Sequence, residues 1–252
     1  MRRYRMRDDQ WARIQDLLPG RVGHVGVTAK DNRLFVEAVL DRYRTGIPWR
    51  DLPERFGCGV KVHTRFSRWA KAGVWERVFQ HLAVDADNEY AMIDSTIVRA
   101  HQHAAGAPKK PGPDQAIGRS RGGLTTKIHA LVDALGNPTG FHLTGGQEHD
   151  LAGADALLPA LEAEALIADT AFDADQRVLE PLAEAGKAAV IPPRKTRTTP
   201  RAFDTDLYQA RHLIENFFAK LKQFRAIATR YDKTARCFLA GIHLTATLIW
   251  LN

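Results

Sequence analysis

Asp204-Thr-Asp-Leu-Tyr208-Gln-Ala-Arg211-His-Leu-Ile-Glu215-Asn-Phe-Phe-Ala-Lys-Leu-Lys222-Gln-Phe224 is the stretch from which the rest of the chain can be read. At about 100° of rotation per residue it is an amphipathic helix. Leu207, Ala210, Ile214, Phe217, Phe218 and Leu221 fall on one apolar stripe wide enough to face a core. Tyr208, Arg211, Glu215 and Lys222 share a narrow face beside it, about 21 Å long at about 1.5 Å per residue. One carboxylate therefore stands between two cations and a phenol. Taken alone, Arg211 and Glu215 are an ordinary i,i+4 pair worth about 0.3 kcal/mol. The flanking sequence decides whether that plain reading survives.

Immediately upstream, Pro192 to Arg201 is a basic loop in which Arg194 and Lys195 are candidate phosphate contacts. Before it, the period is that of strands and short helices. Tyr90-Ala-Met-Ile-Asp94-Ser-Thr-Ile-Val98 is a β-rich apolar run with a carboxylate in its middle, which is costly to bury unless paired or bound to a cation. Arg99 to Gly123 has no periodicity and reads as a mobile loop at about 100–123. Leu124–Asp133 and Gly140–Thr144 form a hairpin around Ala134 to Thr139. Asp150 is placed to cap a helix through about Leu161. Ala165 to Ala168 is a buried-type strand ending at Asp169, Asp173 is placed to cap the next helix, and Ala188 to Ile191 is a fifth strand. From residue 89 the order is β-β-β-α-β-α-β-α-α. That predicts an α/β mixed five-stranded sheet with flanking helices, its last strands joined through crossovers.

The N-terminal third is helical. Asp8 and Asp31 are candidate caps, Gly46 and Gly73 are stops, and a Gly57-Cys-Gly59 turn leads into a helix with Val62, Phe66 and Trp69 inward and Lys61, Arg65 and Arg68 outward. Helix, Gly-containing turn and basic helix is the pattern of a helix-turn-helix DNA reader. Two domains are expected: 1–86, all-α, helix-turn-helix-like and DNA-binding, and 87–252, catalytic. Trp49, Trp69 and Trp75 read as core of the first.

Charge supports this division. The net charge is +7, but residues 1–85 carry 17 Lys and Arg against 10 Asp and Glu, residues 86–193 carry 8 against 15, and residues 194–252 carry 11 against 4. Basic flanks suit phosphate backbones and an acidic middle suits cations. Two isolated cysteines exclude a disulfide framework. His101, His103, His129, His142 and His149 match no zinc spacing. The N-terminus has no apolar segment of a secretory signal, and the apolar run Cys237–Leu251 is too short to span a bilayer, so a cytoplasmic, nucleoid-associated protein with no membrane partner is expected.

Asp94 in the first strand, Asp169 at the end of the fourth and Glu215 on the helix after the fifth would meet if the fourth strand pairs with the first. Three crowded acids call for cations, and two hard divalent ions are the usual arrangement for phosphodiester cleavage. At this point the chain resembles bacterial insertion-sequence transposases of the Asp-Asp-Glu class. The helix carries the Tyr-x2-Arg-x3-Glu-x6-Lys signature of the insertion-sequence-four/five superfamily at Tyr208, Arg211, Glu215 and Lys222. Ile-Asp94-Ser-Thr and Ala-Asp169-Thr-Ala-Phe-Asp resemble its two aspartate motifs. Pro48-Trp-Arg-Asp-Leu-Pro and Trp69-Ala-Lys-Ala-Gly-Val-Trp-Glu resemble its N-terminal domain.

The resemblance implies a ribonuclease-H-like catalytic domain with two Mg²⁺ or Mn²⁺ ions per site, and Asp94, Asp169 and Glu215 as catalytic metal ligands. It implies Tyr208, Arg211 and Lys222 as contacts to double-stranded DNA, recognition of terminal inverted repeats, and 3′-hydroxyl strand transfer into target DNA by a homodimer or higher assembly. Only 46 positions separate Asp169 from Glu215, so this would be a compact member without a large β-strand insertion. A two-metal nuclease of the same fold without strand transfer, and a catalytically inactive DNA-binding regulator, are the competing readings.

Overall fold

The computed structural model describes residues 5–23, 26–105, 115–199 and 201–252, and contacts divide the chain into two compact units, one of residues 83–100 and 111–220, the other of 1–82, 101–110 and 221–252.

The first of these units is built on a mixed sheet. Its strands are β1 (Tyr90–Ala100), β2 (Gly118–Ser120), β3 (Gly123–Val132), β4 (Pro138–Gly145), β5 (Ala165–Ile167) and β6 (Ala188–Val190). β3 is antiparallel to β1 in the register Asp94↔Ala130 and Ser95↔His129. On its other edge β3 pairs with β2 over Gly123–Thr125 and with β4 over Thr126–Val132. β5 runs parallel to β1, with Met92↔Ile167, and β6 runs parallel to β5. The expected hairpin and the two crossover strands are therefore present. Five strands are expected from the sequence. The described residues hold seven, because three-residue β2 falls inside the expected loop and two-residue β7 (Thr229–Arg230) lies in the other unit. Neither is long enough to show a period. Residues 106–114 of that loop lie outside the described residues.

Alternation across β1 decides what faces what. Ala91 and Ile93 join Leu131, Leu151, Ala154, Leu157, Leu166 and Phe172 in one buried cluster, so their face, which Ser95 continues, is covered by the helix Leu151–Leu157. Asp94 points to the opposite face. There the helix His212–Lys222 packs its apolar stripe, with Phe217 5.9 Å from Phe141 of β4 and both Ile214 and Phe217 buried. The helix expected over 204–224 is not continuous: Thr205–Tyr208 is α-helical, Gln209–Arg211 tightens to a 3₁₀ turn, and α geometry resumes at His212. Asp204 caps the first piece by accepting from the amides of Asp206 and Leu207.

The second unit is helical and its core is aromatic. Asp31 caps the helix Asn32–Thr45 by accepting from the Leu34 amide, and Gly46 ends it at φ 74°, as its place in the sequence predicts. Phe35, Phe66, Trp69 and Trp75 pack against one another, while Trp49 stacks half-buried on Phe66. The helix Gly59–Lys71 shows the expected inward Val62, Phe66 and Trp69. The first helix is preceded by Arg7 rather than capped by Asp8, which opens its first turn. Residues 221–252 pack with this unit, unlike the contiguous division expected at residue 86. The reason is local: the C-terminal helix Ala235–Trp250 brings Gly241 so close to Tyr43 that an added Cβ would lie 2.1 Å from its ring, and His243 stacks on Phe79. Cys58 and Cys237 are both free. No described helix is long and apolar enough to cross a membrane.

Candidate active site

Asp94 lies two residues past Met92 in β1, and Asp169 lies two residues past its parallel partner Ile167 in β5. Both therefore continue on the same face, at neighbouring positions. Asp169 has extended backbone (φ −80°, ψ 178°), and its Oδ1 accepts from the Ala171 amide at 2.8 Å, capping the turn Thr170–Phe172. Glu215 stands in the first turn of the helix laid across that face. The helix sits close to the sheet's turn, where a Cβ on Gly136 would meet Leu213 at 3.3 Å.

Arg211 joins two of the three acids. Its Nη2 donates to Asp94 Oδ2 at 2.8 Å and its Nη1 to Glu215 Oε1 at 2.6 Å. The Arg211–Glu215 pair of the plain reading is thus real, and it is one half of a bridge. The Asp94 side chain is 17% exposed and that of Glu215 59%. Burial pushes the Asp94 carboxyl above its ordinary value. The Ser95 amide and Arg211 oppose that shift, while the negative charges of Asp169 and Asp150 reinforce it. Burial draws the Arg211 guanidinium down, and Asp94, Tyr208, Glu215 and Asp169 outweigh it to leave the group raised. Asp94 is thus a carboxylate whose ionised form is short of compensation even beside an arginine.

Among the described residues no three His, Cys, Asp or Glu side chains already stand together as a metal cage. The donor set nevertheless fits a hard divalent cation: two adjacent aspartates of like charge, one of them raised by burial, and a nearby glutamate held by a cationic side chain.

The other expected contacts divide by what their heads touch. Tyr208 is half-buried and edge-on to Phe203. Lys222 is half-buried, with burial lowering its amine, and lies two turns beyond Glu215 on the same helix. Lys61 and Arg68 are exposed on the helix Gly59–Lys71. Arg65 is not outward: its guanidinium stacks over Phe35 and Trp69 and reaches Asn32. Lys195 is exposed, whereas Arg194 donates to the carbonyls of Thr170 and Ala171 at 3.1 and 2.9 Å.

Two aspartates do work that their spacing did not show. Asp173 caps nothing: it accepts from the Arg194 amide at 2.8 Å and from Arg197, and so anchors the basic loop behind the Asp169 turn. Asp150 precedes its helix yet makes no side-chain cap. It accepts instead from Ser95 Oγ and, at 3.0 Å, from the Lys127 ammonium. A buried lysine in β3 was the available signal, since a charge in an otherwise apolar strand needs a partner.

Two family descriptions match the chain: "Putative transposase of IS4/5 family" over residues 6–79 and "Transposase DDE domain" over residues 86–250. An uncharacterized protein of Sinorhizobium fredii, y4sN, is 50% identical over 107 residues, 42% of this chain and 86% of its own length. The "Putative transposase for insertion sequence element IS6501" of Brucella ovis is 40% identical over 130 residues, 51% of this chain and 100% of its own. Among solved structures, the Mos1 mariner paired end complex with Mn aligns at 14% identity over 96% of this chain and 83% of that one, with a TM-score of 0.29 that is too low to bear on the fold.

Proposed function

We propose, since this chain belongs to the family of DDE-domain transposases, that it binds the terminal inverted repeats of an insertion sequence, cleaves its DNA ends and transfers the freed 3′-hydroxyl into target DNA. The observation that carries the reading is the bridge Asp94–Arg211–Glu215, with Asp169 beside it on one sheet face. The strand order, antiparallel hairpin first and parallel crossovers after, supports a ribonuclease-H-like assignment.

In this reading Asp94, Asp169 and Glu215 hold Mg²⁺ or Mn²⁺, two ions per site. When bound, such ions supply Lewis-acid activation of the attacking oxygen and charge neutralisation at the leaving one. The chain's own residues do the rest. β1 and β5 fix two carboxylates at neighbouring positions, so little reorganisation is needed. Arg211 compensates the acids and keeps Glu215 turned toward Asp94. Tyr208, at the end of the first helical piece, and Lys222, at the end of the helix His212–Lys222, would hold backbone phosphates, joined by Arg211 where the DNA approaches the acids. Such contacts set register without reading bases. Lys61 and Arg68, exposed on their helix, are the proposed contacts of the N-terminal DNA reader, with Lys195 as a further phosphate contact. Pairing of two element ends would need at least two copies of the chain.

The test is incubation of the full chain with Mg²⁺ and a labelled duplex carrying the inverted repeats read from the DNA flanking the gene. Joined DNA products are expected. Cut ends that never join would replace this reading with a nuclease of the same fold, and bound but uncut ends would replace it with a regulator.

A further inference from the structure

Ser95 and Asp94 are neighbours on β1 whose side chains point to opposite faces of the sheet. On the Ser95 face stands a polar group that the catalytic reading does not use. Ser95 Oγ donates to Asp150 Oδ1. The same oxygen accepts from Lys127 Nζ at 3.0 Å, and that ammonium also donates to the Glu148 carbonyl at 2.6 Å. Lys127 is buried, and Asp150 is the carboxylate paired with its ammonium. The Ser95 backbone amide in turn donates to Asp94 Oδ1 at 2.7 Å, which leaves Oδ2 to Arg211. Asp150 is itself placed by close packing. Three residues on, a Cβ at Gly153 would lie 2.3 Å from the ring of His129, the β3 residue paired with Ser95. Only glycine lets the helix start approach the strand closely enough for Asp150 to reach Ser95.

We propose that Ser95, Asp150 and Lys127 form a positioning relay through the sheet: Lys127 holds Asp150, Asp150 holds the Ser95 hydroxyl, and the fixed Ser95 amide holds Asp94 Oδ1, which keeps Oδ2 on the side of Arg211 and Glu215. None of the three touches the reacting atoms. The relay sets the orientation of Asp94 and thereby the cation affinity and turnover of the site. It rests on the assignment of Asp94 as a metal ligand.

The experiment uses the full chain and two readouts: Mn²⁺ binding by calorimetry without DNA, and Mn²⁺-dependent cleavage of the labelled end duplex. Ser95→Ala removes one hydroxyl and leaves the buried Lys127–Asp150 pair intact. Partners that orient metal-binding side chains are typically worth about 10-fold to 100-fold. Ser95→Ala is therefore expected to weaken Mn²⁺ binding about 10-fold and lower kcat comparably, with KM for DNA and the thermal midpoint unchanged. Ser95→Thr, which keeps the hydroxyl, restores both. Asp150→Asn lowers kcat as well, and in a relay the double variant loses no more than the worse single one. Wild-type Mn²⁺ affinity and kcat in Ser95→Ala, measured beside an Asp94→Asn variant that has lost both, overturns the relay and leaves the metal-ligand assignment standing. Losses that simply add in the double variant also overturn it. Binding and cleavage retained by Asp94→Asn overturns both proposals together.

Discussion

Asp94 and Asp173 each face an arginine, and they respond in opposite directions. Asp173 is almost fully buried, yet Arg197, the Arg194 amide and Arg201 hold its carboxyl below its ordinary value, against the cost of burial. Asp94 is more open, with Arg211 and the Ser95 amide as its partners, and it sits above its ordinary value because burial, Asp169 and Asp150 outweigh them. The first carboxylate is over-compensated and belongs to the scaffold. The second is under-compensated, in the company of another acid, and has room for more positive charge. An ion pair alone therefore does not distinguish structure from function.

The largest expected effect follows from this contrast. Asp94→Asn should abolish cleavage, by on the order of 10³-fold or more, and leave the chain as stable as before or slightly more so. Asp173→Asn should do the reverse, lowering stability because the Arg194 amide, Arg197 and Arg201 lose the carboxylate they share. Urea denaturation of both variants, set beside their end-cleavage rates, checks the pair. If Asp94→Asn were the less stable variant, the contrast would be lost.

Next in size is the acid limb of stability. Burial lowers the imidazoles of His129 and His243 from 6.5 to about 4. Each is kept neutral when folded and takes a proton more readily when unfolded. Their contribution is complete above about pH 6.5 and is lost as pH falls toward 4, each worth roughly 3 kcal/mol at most. A thermal midpoint that falls across that window is expected. A flat one would contradict the burial of these rings. Losses from Asp173 and Asp150, both lowered in the fold, belong below pH 4.

Gly153→Ala should cost about 1–3 kcal/mol by forcing a methyl into His129, and should lower cleavage along with stability because it displaces Asp150. Denaturation of Gly153→Ala beside Gly186→Ala, whose site has open space around an added Cβ, separates crowding from backbone strain.

The smallest effects distinguish the two basic stretches. Lys61→Ala and Arg68→Ala should weaken DNA binding across sequences and reduce the salt slope by about 1 each. Arg65→Ala should act through stability, since its head lies on Phe35 and Trp69.

The architecture was largely legible. Strand periods, the Gly and Pro stops and the crossover order gave the sheet, because a half-buried strand must alternate and a parallel strand needs a long connection. Asp94 stood out because a carboxylate inside an apolar run is conspicuous, and the structure sets it against Arg211. What escaped were partnerships set by packing rather than spacing. Asp150 and Asp173 stand just ahead of helices, and the local rule names them caps, but Ser95 lies 55 residues from Asp150 and Arg197 24 from Asp173. The outward face given to Arg65 failed for a related reason. An arginine stem can lie along aromatic rings, and helical phase does not show where its head goes.

The most direct test of the central claim is a calorimetric titration of Mn²⁺ into the full chain and its Asp94→Asn, Asp169→Asn and Glu215→Gln variants. Loss of binding in both aspartate variants, and at least a several-fold weakening in Glu215→Gln, is the predicted result. Wild-type affinity in Asp94→Asn or Asp169→Asn, with the fold intact, would contradict it.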